Sequence, residues 1–322
     1  MKAIRIHETG GPEVMRLDEI DIPTPAEGQV LIRVHASGVN FLDIYQRTGL
    51  YKLPLPATLG QEGAGVVEKV GPGVNTLQVG DRVAFTSAQG SYAEYAVWPA
   101  RLVAKLPDKV TFEQGAATML QGMTAHYLTH STFPLEPGHT VLLHAAAGGT
   151  GSLISQMAKR LGARVIGTVG SEEKAKIARE NGTDEVINYQ TQDFEAEVKR
   201  LTAGKGVDVV YDSVGRSTFE KSLNSLRPRG MMVTFGNSSG PVPEIAPLIL
   251  SQKGSLFLTR PTLVHYIADR REFDWRAQGV FEGLISGSLR VRIHKKYPLA
   301  DAPKAHAELE SRKSMGKLVL VP

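Results

Sequence analysis

His144-Ala145-Ala146-Ala147-Gly148-Gly149-Thr150-Gly151 is the stretch whose reading decides the fold. It follows Thr140-Val141-Leu142-Leu143, an apolar run that reads as a buried strand, and precedes residues 152–161, whose apolar positions recur at helical spacing. A strand, a turn of small residues and a helix make a cradle for a pyrophosphate. Bare amides at a helix start offer donors and a positive dipole end, and side chains larger than alanine would hold a phosphate away. The loop fits G-x-G-x-x-G with Ala146 in the first position and Gly148 and Gly151 in the others. Such a pattern is weak alone, but the strand before it and the helix after it are the setting the motif requires.

Around this loop the chain has 322 residues, enough for two domains with packed cores. It contains no cysteine, which excludes disulfides, thiolate nucleophiles and cysteine-bound zinc. The formal charge is only +4, and the basic residues form no long run. Lys174-Ala175-Lys176 and Arg270-Arg271 read as solvated helix faces, so nucleic acid is not an expected partner. No apolar run approaches the length of a membrane span, and Met1-Lys2-Ala3-Ile4-Arg5 leads into an alternating strand, so the expected location is the cytoplasm.

The first hundred residues read as β-structure with frequent turns. Runs at 2–7, 30–35, 64–70, 82–85, 93–97 and 102–106 are separated by Gly10-Gly11-Pro12, Pro23-Thr24-Pro25, Gly71-Pro72-Gly73 and Val79-Gly80-Asp81, the pattern of an antiparallel barrel. A short helix interrupts it near residues 40–47, with Asn40 as its cap and Asp43 as the acidic partner of a capping box. From Gly122 the period changes. Strands at 140–143, 164–169, 185–188, 207–212 and 230–235 alternate with helices at 152–161, 172–180, 194–202 and 218–226, which argues for a doubly wound parallel sheet. Residues 255–258 add a sixth strand at its edge; helices at 262–267 and 273–286 follow, and the β-like runs 290–297 and 317–321 resume the opening domain. The expected division is 1–120 with 261–322, and 121–260.

These stretches, in this order, resemble the medium-chain dehydrogenase/reductase superfamily, and within it the zinc-free, zeta-crystallin-like quinone oxidoreductases of bacteria. The resemblance is carried by Val39-Asn40-Phe41-Leu42-Asp43-Ile44-Tyr45, Leu59-Gly60-Gln61-Glu62-Gly63, Val79-Gly80-Asp81-Arg82-Val83, the phosphate loop, Tyr211-Asp212-Ser213-Val214-Gly215 and Phe235-Gly236-Asn237-Ser238-Ser239-Gly240. It implies a Rossmann domain joined to a GroES-like barrel, and an NADPH-dependent reductase passing hydride to quinones or related conjugated carbonyls. Zinc-dependent relatives place a cysteine and a histidine where this chain has Asn40 and Gln61. Without a Lewis acid to stabilise an alkoxide, oxidation of simple alcohols is not expected. His126 and His130 share a helix face at metal-bridging spacing, but no third ligand accompanies them, and no metal is expected.

The second parallel strand bears on the cofactor. NAD-preferring sites place an acid near its end for the ribose hydroxyls, whereas Thr168-Val169-Gly170-Ser171 has none; Glu172 and Glu173 fit the first turn of the next helix. Lys174 can reach toward a 2′-phosphate, and the resemblance adds Tyr189 and Arg312, the guanidinium being suited to paired bonds with phosphate oxygens. NADPH is therefore the expected cofactor, held by Ala146, Gly148, Gly149, Thr150 and Gly151 at its pyrophosphate and by Gly170, Ser171, Lys174, Tyr189 and Arg312 beyond it. By resemblance, Asn40, Thr124, Phe235 and Asn237 also contact the cofactor, and Asn40, Tyr45 and Gln61 face the chemistry, with Tyr51 helping to wall the pocket. Tyr45 is the candidate to orient or protonate the reduced substrate, although solvent can protonate a reduced quinone. Asp212 reads as a turn residue. Two other readings stay open: a 2-alkenal or enoyl reductase, and a non-catalytic protein that binds NADPH and RNA. A homodimer is expected through the 255–258 edge strand.

Overall fold

A computed structural model describes residues 1–322. The chain divides into two compact units, residues 1–123 with 266–322, and residues 124–265.

The second unit is a six-stranded parallel sheet. Its spatial order is Glu185–Asn188, Arg164–Val169, Thr140–Leu143, Val207–Asp212, Leu226–Thr234, Phe257–Thr259. Numbered from its first strand this is 3-2-1-4-5-6, so the order reverses beside Thr140–Leu143, and the phosphate loop leaves from that strand's carboxyl end, where such sheets bind ligands. Strands covered on both faces read as continuous apolar runs, and here Leu142, Ile166, Val210 and Met232 are buried among Phe194, Val198 and Leu223 from the helices.

The first unit holds a mainly antiparallel seven-stranded sheet and a smaller three-stranded one. The long strand Gln29–Val39 organises the larger sheet, pairing with Glu62–Val70, Tyr95–Pro99 and Lys317–Val321. The last of these returns the chain's end to its opening domain, with Ile293–Pro298 alongside it in parallel. Ile4, Ile6, Val39, Leu59, Tyr92, Leu318 and Leu320 share one core.

The structure departs from the sequence reading at several element bounds. The strand Met15–Glu19 is unanticipated, because it lies at an edge and only Met15 of its five residues is buried. The helix expected at 152–161 starts at Gly149, so three residues of the phosphate loop form its first turn. The helix Phe112–Tyr127 begins well before Gly122 and continues as a π-helical turn, Leu128–Thr132. Its glycines mask it, yet they mark close approach: a Cβ on Gly122 would lie 2.9 Å from Val280 Cγ2. The edge strand expected at 255–258 is Phe257–Thr259, because Ser255, at φ +57°, still belongs to a turn. The helix Ala302–Glu310 is also additional.

Candidate active site

In the second unit the loop is held from below. Ala146 N–H donates to Thr168 O at 3.1 Å and His144 N–H to Tyr211 O at 3.1 Å, tying the loop to both neighbouring strands. The His144 ring is enclosed, with Nδ1 2.9 Å from Thr168 Oγ1 and Nε2 2.8 Å from Ser222 Oγ; burial lowers its pKa and favours the neutral ring. Ala146 fits where the motif has glycine because Gly167 faces it: a Cβ there would come within 2.7 Å of Ala146 Cβ. The tight turn falls on Ala145, whose φ is +54°.

The helix Gly149–Arg160 follows, with Gly148 as N-cap and no side chain capping it. Its first-turn amides therefore face outward without an intrahelical acceptor, as a pyrophosphate requires. Gly151 is obligatory, since a Cβ on it would collide with the Ala145 carbonyl. A backbone cradle that any larger side chain would fill fits a dinucleotide phosphate.

At the end of the second strand Ser171 caps the helix Glu172–Glu180, its hydroxyl accepting from Lys174 N–H at 3.3 Å. Glu172, the first residue of that helix, accepts from Asn188 Nδ2 at 3.0 Å and so is tied to the end of the strand Glu185–Asn188. The Tyr189 hydroxyl lies where a Cβ on Gly170 would project, so Gly170 lets the phenol lie over the strand end. Gly170, Ser171, Lys174 and Tyr189 are thus brought together. Phe235 and Asn237 follow the strand Leu226–Thr234, with Phe235 N–H bonded to Asp212 O at 2.8 Å. Thr124 is buried in the long helix. Arg312 belongs to the first unit, exposed in the turn after Ala302–Glu310. Asp212 ends its strand and holds the turn that follows: its carboxylate accepts from Val214 N–H at 2.7 Å, Gly215 N–H at 3.1 Å and the Thr218 hydroxyl at 2.8 Å.

In the first unit the helix Phe41–Arg47 carries Tyr45, a partly exposed side chain lying 6.2 Å from Phe41 and 5.3 Å from Tyr51 between ring centroids. The Asp43 carboxylate accepts from Asn40 N–H at 2.9 Å, the acidic half of the expected capping box. The Asn40 side chain supplies the other half of that box toward the Asp43 backbone and is bonded from farther away as well. Its Nδ2 donates to Glu62 Oε1 at 2.9 Å and Gly38 O at 3.2 Å, and its Oδ1 accepts from Lys317 Nζ at 2.7 Å. Lys317 also pairs with Glu62, whose second oxygen accepts from Leu120 N–H at 2.7 Å; both charged side chains are enclosed. Gly38 must lack a side chain, because a Cβ would strike Glu62 and the Ala116 carbonyl. Gln61 Nε2 donates to Gln89 Oε1 at 3.2 Å, and Gln89 Nε2 donates to Thr58 O at 2.9 Å. Gln89 also lines an open pocket of about 400 Å³ with Leu53, Pro54, Ala57, Thr58 and Tyr95.

A second buried chain lies behind Asp43. Arg47 Nη1 is 3.1 Å from His306 Nδ1, His306 Nε2 is 3.2 Å from the Tyr92 hydroxyl, and that hydroxyl is 2.9 Å from Asp43 Oδ2. A guanidinium only donates, so His306 Nδ1 is an acceptor, Nε2 carries the proton, and Tyr92 donates to Asp43. Burial and then Arg47 push His306 down to about 3, while burial lifts Asp43 to about 7 against the bonds from Asn40 and Tyr92. Sequence reasoning missed Glu62, Tyr92, His306 and Lys317. The available signal was charge inside apolar or glycine-rich runs, as at Glu62 and Lys317.

His126 and His130 stack with ring centroids 4.1 Å apart, and His130 Nδ1 lies 3.1 Å from His126 O. No group of three or more His, Cys, Asp or Glu side chains is arranged to hold a metal. No helix is long and apolar enough to cross a membrane.

Two family models match: the alcohol dehydrogenase GroES-like domain over residues 26–108, and the zinc-binding dehydrogenase over residues 149–277. The chain is 46% identical to quinone oxidoreductase 1 of Escherichia coli over 99% of both sequences. It is 44% identical to a 2-haloacrylate reductase of Burkholderia, covering 98% of each. The mycobacterial protein Rv1454c, in a structure complexed with NADPH, superposes with a TM-score of 0.98 at 48% identity over the full length of both chains.

Proposed function

The chain belongs to the medium-chain dehydrogenase/reductase superfamily, alongside the quinone oxidoreductases, and from this we propose that it is an NADPH-dependent reductase of quinones and related conjugated carbonyls that works without zinc. The observation that carries this reading is the glycine cradle at Gly148–Gly151 beside a second strand with no terminal acid, in a chain so similar to a protein crystallised with NADPH. Bound NADPH supplies the hydride from its nicotinamide ring. The chain's part is to bind and orient. Amides of Gly149, Thr150 and Gly151 hold the pyrophosphate, assisted by the helix dipole. Lys174, Tyr189 and Arg312 hold the 2′-phosphate, and Thr124, Phe235 and Asn237 contact the cofactor's other end. Gln61 and Asn40 orient substrate, and the Tyr45 phenol donates to the oxygen that becomes negative as hydride arrives. Amides at positions 40 and 61 supply neither thiolate nor imidazole, so these residues direct substrate by hydrogen bonds. We place the enzyme in the cytoplasm as a homodimer joined through the edge strand Phe257–Thr259, with nucleic acid playing no part.

Steady-state kinetics with NADPH and 1,4-benzoquinone test the reading. Replacing Lys174 and Arg312 by Ala is expected to raise the KM for NADPH tenfold or more while leaving that for NADH within a factor of two. Equal losses with both cofactors refute the 2′-phosphate assignment, and absence of turnover with any quinone or enone refutes the activity. The 2-haloacrylate reductase among the relatives favours a second reading, reduction of conjugated acids and enones; rates far higher on these than on quinones would establish it.

A further inference from the structure

The helix Phe41–Arg47 is seven residues long, too short to hold its shape by its own hydrogen bonds. Its position is set by its inward side chains, which are anchored by Gly10, Glu62 and Tyr92 and, behind them, by three residues from the last twenty of the chain. Asn40, the cap, accepts from Lys317 Nζ at 2.7 Å. Asp43 is reached through Tyr92 from His306. Arg47 donates to His306 at 3.1 Å and to Glu310 at 2.7 Å. Asn40, Asp43 and Arg47 follow the i, i+3, i+7 spacing of one helix face, whereas Tyr45 lies on the other with Phe41.

The polarity of this mooring is defined throughout. Arg47 and Lys317 can only donate, which orients His306 and Asn40, and those in turn orient Tyr92 and Glu62. A loosened mooring would shift the helix as a body, because its own contacts are local and its anchors converge from strands and a helix distant in sequence. We infer that Lys317 and His306 are positioning residues for the reaction: they place the helix so that Tyr45 meets the substrate. This rests on the role proposed for Tyr45.

A double-mutant cycle tests it. Lys317→Met with Glu62→Gln removes the buried pair without stranding either charge. His306→Leu breaks the second mooring, while His306→Gln keeps one acceptor and one donor. Each is made with Tyr45 present and with Tyr45→Phe, and kcat/KM for 1,4-benzoquinone is measured at saturating NADPH. With Tyr45 present, Lys317→Met/Glu62→Gln and His306→Leu are expected to cost tenfold or more, His306→Gln less than threefold, and the KM for NADPH to stay within twofold. In the Tyr45→Phe background His306→Leu, which leaves the bonds of Asn40 intact, is expected to cost less than threefold, and Lys317→Met/Glu62→Gln at least threefold less than it does with Tyr45 present. Hydrogen exchange of residues 41–51 should rise in the two disruptive variants and not in His306→Gln.

Equal losses in both backgrounds would show independent sites and overturn the inference, as would full activity in both disruptive variants. If one disruptive variant does not fold, the other decides. A Tyr45→Phe enzyme with unchanged kcat/KM would instead remove the Tyr45 role, and the inference with it. A costly Tyr45→Phe joined to additive effects would remove the inference alone.

Discussion

Replacing Asp43 by Asn perturbs a balance of two buried groups. The Asp43 carboxyl is enclosed, and its pKa is raised from 3.8 to about 7. Between those values the folded protein keeps a proton that the unfolded chain has released, so raising the pH across this window favours unfolding. The rise corresponds to about 4 kcal/mol of stability lost by pH 8. His306 acts oppositely. Its pKa falls from 6.5 to about 3, so the unfolded chain holds a proton there that the folded protein lacks. The stability it contributes is present above pH 6.5 and is lost on acidification toward pH 3. From about pH 4 to 6.5 the two slopes cancel, the folded protein carrying the proton on Asp43 and the unfolded chain on His306. In Asp43→Asn the new amide oxygen still accepts from Asn40 N–H and Tyr92, but no proton is taken up. Between pH 4 and pH 8 the stability difference should move in the variant's favour by up to about 4 kcal/mol. The variant itself should lose stability below pH 6.5, where His306 is no longer balanced. Urea unfolding followed by tryptophan fluorescence reads this directly, because Trp98 and Trp275 both lie in the unit that contains Asp43. Parallel stability curves for the two proteins, or a variant that falls behind as the pH rises, would refute the reasoning.

Three further outcomes follow from the same geometry. Gly151→Ala drives a methyl group into the Ala145 carbonyl and is expected to weaken NADPH binding at least tenfold by calorimetry; unchanged affinity would show that the cradle is not the phosphate site. Lys317→Met alone strands the Glu62 carboxylate in the core and should lower unfolding free energy by about 3–5 kcal/mol, with Glu62→Gln restoring most of it. Phe257 is exposed on the edge strand, and Phe257→Asp is expected to convert a sedimenting dimer to a monomer at micromolar concentration; a wild-type protein already monomeric there would end the proposal of edge pairing.

The parallel sheet was legible because burial on both faces leaves continuous apolar runs. Residues 140–143, 164–169, 185–188 and 207–212 are strands at the bounds read from sequence. Met15–Glu19 was not legible, because an exposed edge strand has little apolar residue to alternate. Capping was legible, since both halves of the Asn40–Asp43 box form as the local pattern implies. What was not legible is that the Asn40 side chain also answers to Lys317 and Glu62, partners far away in the chain.

Local chemistry in the amino-acid order thus determined the phosphate loop, the glycine that must stay bare at 151, the missing acid after the second strand and the absence of thiolates. Each depends on residues within a few positions of one another, where backbone geometry and side-chain size are direct consequences of identity. The orientation of Asn40, the tautomer of His306 and the raised pKa of Asp43 belonged to the tertiary structure alone. They arise where positions 40, 43, 62, 92, 306 and 317 converge in a dry interior, and desolvation and hydrogen-bond direction act only once the chain has brought those groups together.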